Sequence, residues 1–221
     1  MEFTLGPVLD NLPFLLRGLW MNVVVSVVSI GLSLILGFGV GLGRSFGPRW
    51  LAVALAFYVD SMRALPVLVV IVWTFFAFPL LAQTSIRPVP AAITAISLHV
   101  AASVAEVVRA GVESVREGQT RAALALGMTR IQVLADVILP QAVVRMLPAF
   151  TSLMVITIKD SAVASVIAVP EIIRQSETVA GQTFRPFEVY TFALLAFFAI
   201  LFPVARLADW LYGRVAHLGR S

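Results

Sequence analysis

The sequence predicts an all-α integral membrane protein with about five transmembrane helices. Its 221 residues are 60% hydrophobic and only 13% charged, with a mean hydropathy of +0.97. A soluble domain is nearer half apolar and a quarter charged, so this chain has more apolar surface than its own core can bury. Several apolar stretches also reach about 20 residues, the length of helix that crosses a bilayer. Lipid must therefore cover part of the surface.

Five segments have the length and composition of a membrane span. They are residues 20–42, 64–82, 89–108, 142–169 and 187–205. The fourth carries Arg145, Lys159 and Asp160 but is otherwise apolar. We expect residues 51–66 to extend the second span on its N-terminal side, with a kink near Pro66, because proline removes a helical hydrogen bond.

The arginines predict that the N-terminus lies outside the membrane and the C-terminus inside. With this orientation the inner segments hold ten arginines and the outer segments four, as the positive-inside rule requires. The inner ones are Arg44, Arg49, Arg109, Arg116, Arg121, Arg130, Arg145, Arg206, Arg214 and Arg220, and the outer ones are Arg17, Arg87, Arg174 and Arg185. Residues 1–19 contain Glu2 and Asp10 and lack a small-residue cleavage site. We therefore expect an amphipathic helix on the outer surface there, not a signal peptide.

Several functions are excluded by what the sequence lacks. It has no cysteine, and its two histidines, His99 and His217, have no metal-binding spacing, so we expect no metal site. Its one lysine, Lys159, does not follow a glycine-rich turn, so any ATP would bind another polypeptide. The arginines that give the net charge of +4 are scattered beside apolar segments, which argues against a nucleic-acid surface. Because no nucleophile and base form a catalytic pattern, we expect neither an enzyme nor a cofactor bound by this chain.

Glycines in the first span form two overlaid GxxxG pairs, Gly37 with Gly41 and Gly39 with Gly43. Such pairs let helix backbones approach closely. We expect packing within one chain, and the alternative is a contact between two subunits.

Residues 110–140 lie on the inner side and predict a short helix, a glycine and a second helix. Glu117 and Arg121 are four residues apart with the acid first, which is a favourable helix pair. Gly127 suits the end of the first helix, and Thr129 with Gln132 forms a capping box for the second.

The second helix of this inner segment has an apolar face formed by Ile131, Leu134 and Ile138. We expect Pro140 to end that run. Small side chains at the tip of the first helix would permit close approach to a groove in another protein. The alternative is a loop that folds back on its own bundle.

This inner segment resembles the "EAA" signature of ABC-importer permeases, which is Glu-Ala-Ala, three residues, Gly, and a run closing in Ile-x-Leu-Pro. The matching residues here are Arg121-Ala122-Ala123, Gly127 and Ile138-Leu139-Pro140. Flanking blocks are similar to permeases for histidine, glutamine, glutamate, arginine and opines: "AEVVRAGVESVREGQTRAALALGM", "KDSAVASVIAVPEI" and "TFRPFEVY". The resemblance extends from "GLWMNVVVSVVSI" to the end of the last span.

The resemblance implies a type I ABC-importer permease fold in a bacterial inner membrane, with the chain forming one transmembrane domain. It implies two ATPase subunits that bind ATP and magnesium inside, a solute-binding protein outside, and a second permease, identical or related. The EAA segment would be the coupling helix, seated in a cleft of the ATPase. The residues assigned to that contact are Glu117, Arg121, Ala122, Ala123, Gly127 and Met128. Arg121 departs from the family pattern because it stands where the signature has glutamate. Either the ATPase cleft is adjusted to an arginine, or Glu117 neutralises Arg121, or a second, non-identical permease carries the standard contact.

Polar residues inside the spans are candidates for a substrate pathway, because charge at membrane depth is costly and usually faces a bundle interior or a water-filled route. They are Asn22, Ser26, Arg63, His99, Ser103, Glu106, Lys159 and Asp160. We hypothesise that Glu106 and Asp160 face the ammonium of an amino acid, with Lys159 or Arg63 facing its carboxylate. Alternatively, these groups satisfy one another within the bundle or reach the interface, and the serines bond to carbonyls of their own helices.

Two other functions remain open from the sequence. One is a secondary transporter driven by an ion gradient, against which the lack of an inverted repeat argues. The other is a membrane assembly subunit that transports nothing, whose inner segment binds a partner for structural reasons.

Overall fold

The computed structural model describes residues 3–215, and every regular element within them is helical. In chain order these are α1 (Gly6–Asp10), α2 (Leu12–Phe46), α3 (Arg49–Ala64), α4 (Val67–Val72), α5 (Phe78–Ala82), α6 (Pro88–Glu113), α7 (Glu117–Ala125), α8 (Arg130–Gln132), α9 (Leu139–Val163), α10 (Ile172–Thr183) and α11 (Pro186–Val215). A π-helical stretch, Trp73–Ala77, joins α4 to α5, and another, Val133–Ile138, joins α8 to α9. Four described segments are long and apolar enough to cross a membrane, and a bent pair makes up to five. This confirms the predicted number of spans. His217 and Arg220 lie outside the described residues.

The first span begins earlier than the sequence suggests. Helix α2 runs without interruption for 35 residues from Leu12, and only the short α1 precedes it. The interpretation of residues 1–19 as a separate amphipathic surface helix is therefore wrong for the described part of that segment. The apolar residues that open α2 explain the difference, since Leu15 is fully buried against α10 and α11.

The second span is a sharply bent pair of helices and not one kinked helix. Helix α3 ends at Ala64 and α4 begins at Val67, with a bend of 106°. Leu65 is extended, as is favoured for a residue before proline, because the ring of Pro66 crowds its helical conformation. The expected kink near Pro66 is thus a complete break, which turns α4 and α5 away from α3.

Helices α2 and α6 form the centre of the bundle and run in the same direction. Gly37 faces Val104, and Gly41 faces Val108 four residues later on both helices. The Gly37 and Gly41 pair therefore packs within the chain, as expected from its spacing. Gly39 has open space around its Cα.

Helices α8 and α9 merge into a single rod, Arg130–Ile167, of 38 residues. At 1.5 Å per residue the rod is about 55 Å long. Pro140 does not end the helix, contrary to expectation. The wider π-helical turn before it, Val133–Ile138, moves the carbonyl that the proline ring would otherwise meet. The rod thus connects the inner segment to the outer side without a break.

Coupling knob and polar residues of the candidate pathway

The inner segment folds into a compact knob, residues 117–128, directly before the rod. Helix α7 ends at Ala125 with Leu126 as its cap, and Gly127 follows with φ of +86°, a conformation that favours glycine. The Gly127 N–H donates to the carbonyl of Leu124 at 3.0 Å, and the Met128 N–H donates to that of Ala123 at 3.2 Å. These bonds confirm the predicted glycine stop.

The capping box at the start of the rod is also confirmed. The Gln132 N–H donates to Thr129 Oγ1, and the Thr129 N–H donates to Gln132 Oε1 at 2.8 Å. The turn between knob and rod is therefore closed by glycine on one side and by reciprocal side-chain bonds on the other. The knob is held at a defined angle to the rod.

One face of the knob packs on its own bundle and the other is exposed. Ala123 is buried together with Val133 of the rod, whereas Ala122 is exposed. Leu126 and Ile131, one on each side of the glycine turn, are 85% and 79% exposed. The sequence analysis emphasised the alanines and did not single out Leu126, and it placed Ile131 on one apolar face with Ile138, whereas Ile131 is exposed and Ile138 is buried. Leucine directly before the glycine stop was the signal available.

Arg121 is paired on the exposed surface of the knob. Its Nη2 donates to Glu117 Oε2 at 2.6 Å. The pair borders an open groove of about 460 Å³ that extends to Phe46 at the end of α2. Geometry thus supports the interpretation that Glu117 balances the arginine that stands in place of the family's glutamate.

Asn22, a predicted pathway residue, forms the centre of a buried network at the outer end of the bundle. Its Nδ2 donates to Ser161 Oγ at 3.0 Å and to Glu171 Oε2 at 3.2 Å. Its Oδ1 accepts from the Ile172 N–H at 2.9 Å. Ser26 donates to the carbonyl of Asn22 in its own helix, the alternative that we noted for the serines.

Glu171 is fully buried and caps the N-terminus of α10. Its two oxygens accept from the N–H groups of Ile173 and Arg174 at 2.9 and 2.7 Å. Burial raises the pKa of the Glu171 carboxyl above its usual range, and these bonds with that from Asn22 oppose the shift. Sequence analysis missed Glu171, because glutamate is not among the preferred capping residues and its bond to Asn22 crosses 149 residues.

Glu106 lies among arginines near the inner half of the bundle. Arg44 Nη1 approaches Glu106 Oε2 at 2.8 Å, Arg109 Nη2 approaches Oε1 at 2.5 Å, and Arg63 lies 3.9 Å away. The imidazole of His99 contacts the backbone of Met62 in the last turn of α3. The structure therefore brings Arg63, His99 and Glu106 together where α3 ends against α6.

The remaining candidates lie on α6 and α9. Ser103 is half-buried, Lys159 is exposed, and Asp160 is half-buried. Within residues 3–215, neither Lys159 nor Asp160 has an ion pair or side-chain hydrogen bond. One and two helical turns before them, Ile156 and Ser152 line a groove of about 280 Å³ between α9 and α11. The structure leaves the charges of Lys159 and Asp160 available to other molecules.

Comparison with known proteins identifies the family to which this chain belongs. Residues 29–217 match the family described as binding-protein-dependent transport system inner membrane component. The chain belongs to this family. It is therefore a membrane component of a transport system and a multi-pass protein of the bacterial inner membrane.

Individual relatives match over almost the whole chain. The glutamine transport system permease protein GlnP of Escherichia coli strain K12 is 34% identical over 204 residues, covering 91% of this chain and 92% of the relative. The glutamate/aspartate import permease protein GltK of Escherichia coli O6:H1 is 30% identical, with 97% and 99% covered. A crystal structure of an amino acid ABC transporter with histidines superposes with a TM-score of 0.90 at 26% identity, covering 97% of this chain and 100% of that one. The fold is the type I fold of ABC-importer permeases.

Proposed function

We propose that this permease moves polar amino acids inward, driven by separate ATPase subunits that bind the knob. The observation that carries the proposal is the knob itself, which is fixed to a continuous rod and exposes Leu126 and Ile131. Exposed apolar side chains of this size at an inner, aqueous surface favour a protein partner. Because a hydrogen-bonded turn joins the knob to the rod, movement of the partner would tilt a helix that crosses the membrane.

The proposed substrate class is supported by the named relatives and by the charges of Lys159 and Asp160. Named relatives carry glutamine, glutamate and aspartate. An amino acid presents an ammonium and a carboxylate, and Lys159 and Asp160 carry the two complementary charges and have no ion-pair partner among the described residues. We propose that these two residues face the substrate. The carboxylate of Glu106 is already shared by arginines, which favours a role for Glu106 in holding the bundle together.

The proposed complex contains two permease subunits, two ATPases and an outer solute-binding protein. The open groove between α9 and α11 would face the second permease, identical or related, so that the two chains enclose the pathway. ATP and magnesium would bind only the ATPases, and this chain would catalyse no reaction. As a multi-pass protein, it would remain surrounded by lipid on its other faces.

Reconstitution in liposomes tests the proposal. The permease would be co-purified with the ATPase and binding protein of its own system and assayed with radiolabelled L-glutamine, L-glutamate and L-arginine. We expect uptake of at least one of them to require ATP and the binding protein and to persist when ionophores collapse all ion gradients. Uptake that follows an ion gradient without ATPase would identify a secondary transporter. Assembly without any uptake would instead favour a membrane assembly subunit.

A further inference from the structure

We propose that Asn22, Ser161 and Glu171 form an outer latch, which makes ATP hydrolysis inside depend on the binding protein outside. The latch joins three elements: α2, the outer end of the rod, and the start of α10. This inference rests on the proposed function, because it concerns how the two sides of that importer communicate. It assigns Asn22 and Glu171 as positioning residues, without contact to the substrate.

The latch is a closed set of directional bonds. Asn22 donates to Ser161 and to Glu171, and it accepts from the Ile172 N–H. Asn22, Ser161 and Glu171 are each exposed by no more than 1%. Because the Asn22 amide both donates and accepts, it holds α2 and α10 in one relative position. Purely apolar contacts would allow the two helices to slide past each other.

The backbones of α2 and α10 are also in close contact beside the latch. A Cβ atom on Gly18 would lie 2.9 Å from Ile172 Cα and 2.7 Å from Gln175 Cγ. Helix α10 is therefore pressed against α2 one turn before Asn22. A displacement of α10 would be passed directly to α2 and to Ser161.

Ser161 connects the latch to the inner knob. It lies near the outer end of the rod, whose other end begins at Arg130 beside the knob. The helix is unbroken between these two ends, although it contains the π-helical turn Val133–Ile138 and Pro148, so a tilt at one end is passed to the other. The rod therefore links the surface proposed for the ATPase to the latch.

Helix α10 lies between the buried latch and the outer solvent. Its inner face is buried through Ile172, Ser176 and Val179, whereas Arg174 and Glu177 form an exposed ion pair at 2.8 Å. In the predicted orientation this polar face points to the side where a binding protein would dock. Docking of the binding protein on α10 would displace the latch residues, and the rod would transmit that displacement to the knob.

Swapping donor and acceptor gives a specific test. Asn22→Asp places a carboxylate against Glu171 and removes the donor to Ser161, so the latch should open. Glu171→Gln added to Asn22→Asp restores a donor facing an acceptor across the same gap, but it removes the bond that Glu171 Oε2 accepts from the Ile173 N–H. Glu171→Gln alone therefore serves as the reference for the double swap. Ser161→Ala removes one bond of the latch. Ser33→Ala is its matched control, because buried Ser33 bonds only to a carbonyl of its own helix.

The measured quantity is the ratio of ATP hydrolysis with glutamine-loaded or glutamate-loaded binding protein to hydrolysis without it. We expect Asn22→Asp to lower this ratio at least about fivefold, the lower range for coupling between two sites. The double swap should raise it again, to the value of Glu171→Gln alone. Ser161→Ala should lower it, and Ser33→Ala should not. Thermal unfolding of each complex, measured in parallel, separates this effect from a loss of stability.

An unchanged ratio in Asn22→Asp, or a double swap as low as the single variant, would overturn the latch while the proposed function stands. If Asn22→Asp fails to assemble, the comparison of Ser161→Ala with Ser33→Ala decides, and equal ratios overturn the latch. A wild-type complex without ATPase, or without stimulation by the binding protein, would refute the proposed function itself.

Discussion

Gly37 of α2 lies directly against Val104 of α6, so closely that a Cβ atom at position 37 would come within 2.4 Å of Val104 Cγ1. The carbonyl of Ala101 lies 2.8 Å from the same point, so a side chain here would meet both backbone and side-chain atoms of α6. The parallel packing of α2 and α6 therefore depends on the absence of a side chain here.

Gly37→Ala should destabilise the protein. Overpacking in a close contact costs about 1–3 kcal/mol, against a helix-propensity gain of about 1 kcal/mol. Gly39→Ala is the control, since Gly39 lies two residues away on the same helix in open space. We expect thermal unfolding in detergent at a lower temperature for the first variant and unchanged or higher for the second. Equal losses in both would contradict the packing described.

Glu106→Gln and Asp160→Asn should act in different ways. The first leaves Arg44 and Arg109 without their shared carboxylate, which we expect to cost about 1–3 kcal/mol of stability. The second removes a charge that has no ion-pair partner among the described residues, so folding should be unaffected. Uptake and thermal unfolding would be measured for both variants.

For Asp160→Asn we expect a raised KM or a lost rate at normal stability. Unchanged transport in that variant would remove Asp160 from the pathway, and unchanged stability in Glu106→Gln would show that the arginines do not need it.

Gly127→Ala should weaken the attachment of the ATPase. A non-glycine residue at φ of +86° costs about 1–2 kcal/mol, so the turn would open and the knob would lose its angle to the rod. Gly118→Ala is the matched control, because Gly118 is exposed within α7 and its Cβ would meet nothing within 4 Å. Co-purification of the ATPase should fall in the first variant only, while both still insert in the membrane. Full retention by Gly127→Ala would refute the role of the turn.

Local signals allowed the sequence to predict the knob but not the latch. The capping box of Thr129 and the glycine stop at Gly127 both depend on residues within four positions, so their chemistry is visible in the sequence. The bond from Asn22 to Ser161 spans 139 residues, and only the packed bundle brings them together. Asn22 could be recognised as a buried polar residue, but its partners could not.

Pro66 and Pro140 also show that the sequence alone does not determine whether a proline ends a helix. Pro66 breaks its helix completely, whereas Pro140 lies inside a continuous rod. Both remove a backbone donor, and the outcome differs because a π-helical turn precedes Pro140 and an extended Leu65 precedes Pro66. Such turns depend on neighbouring helices, so proline alone did not decide between break and continuation.

Glu171 should make stability depend on pH in a definite direction. Because burial raises its pKa above the usual value of 4.5, the folded state holds this proton to higher pH than the unfolded state does. Its contribution to stability is therefore full below the usual pKa and is lost as pH rises from there through the folded-state pKa. Glu171→Gln removes this titration, so the variant should gain stability relative to wild type as pH rises through that window.

Thermal unfolding of the detergent-solubilised protein, followed by tryptophan fluorescence from about pH 4 to 8, measures this difference. Ser176→Ala is the control, since Ser176 is a fully buried residue of α10 with no titrating group, and its effect should not vary with pH. A constant difference between wild type and Glu171→Gln would contradict the raised pKa. A difference that moves the opposite way would mean that the bonds from Asn22 and the α10 N-terminus outweigh burial at this carboxylate.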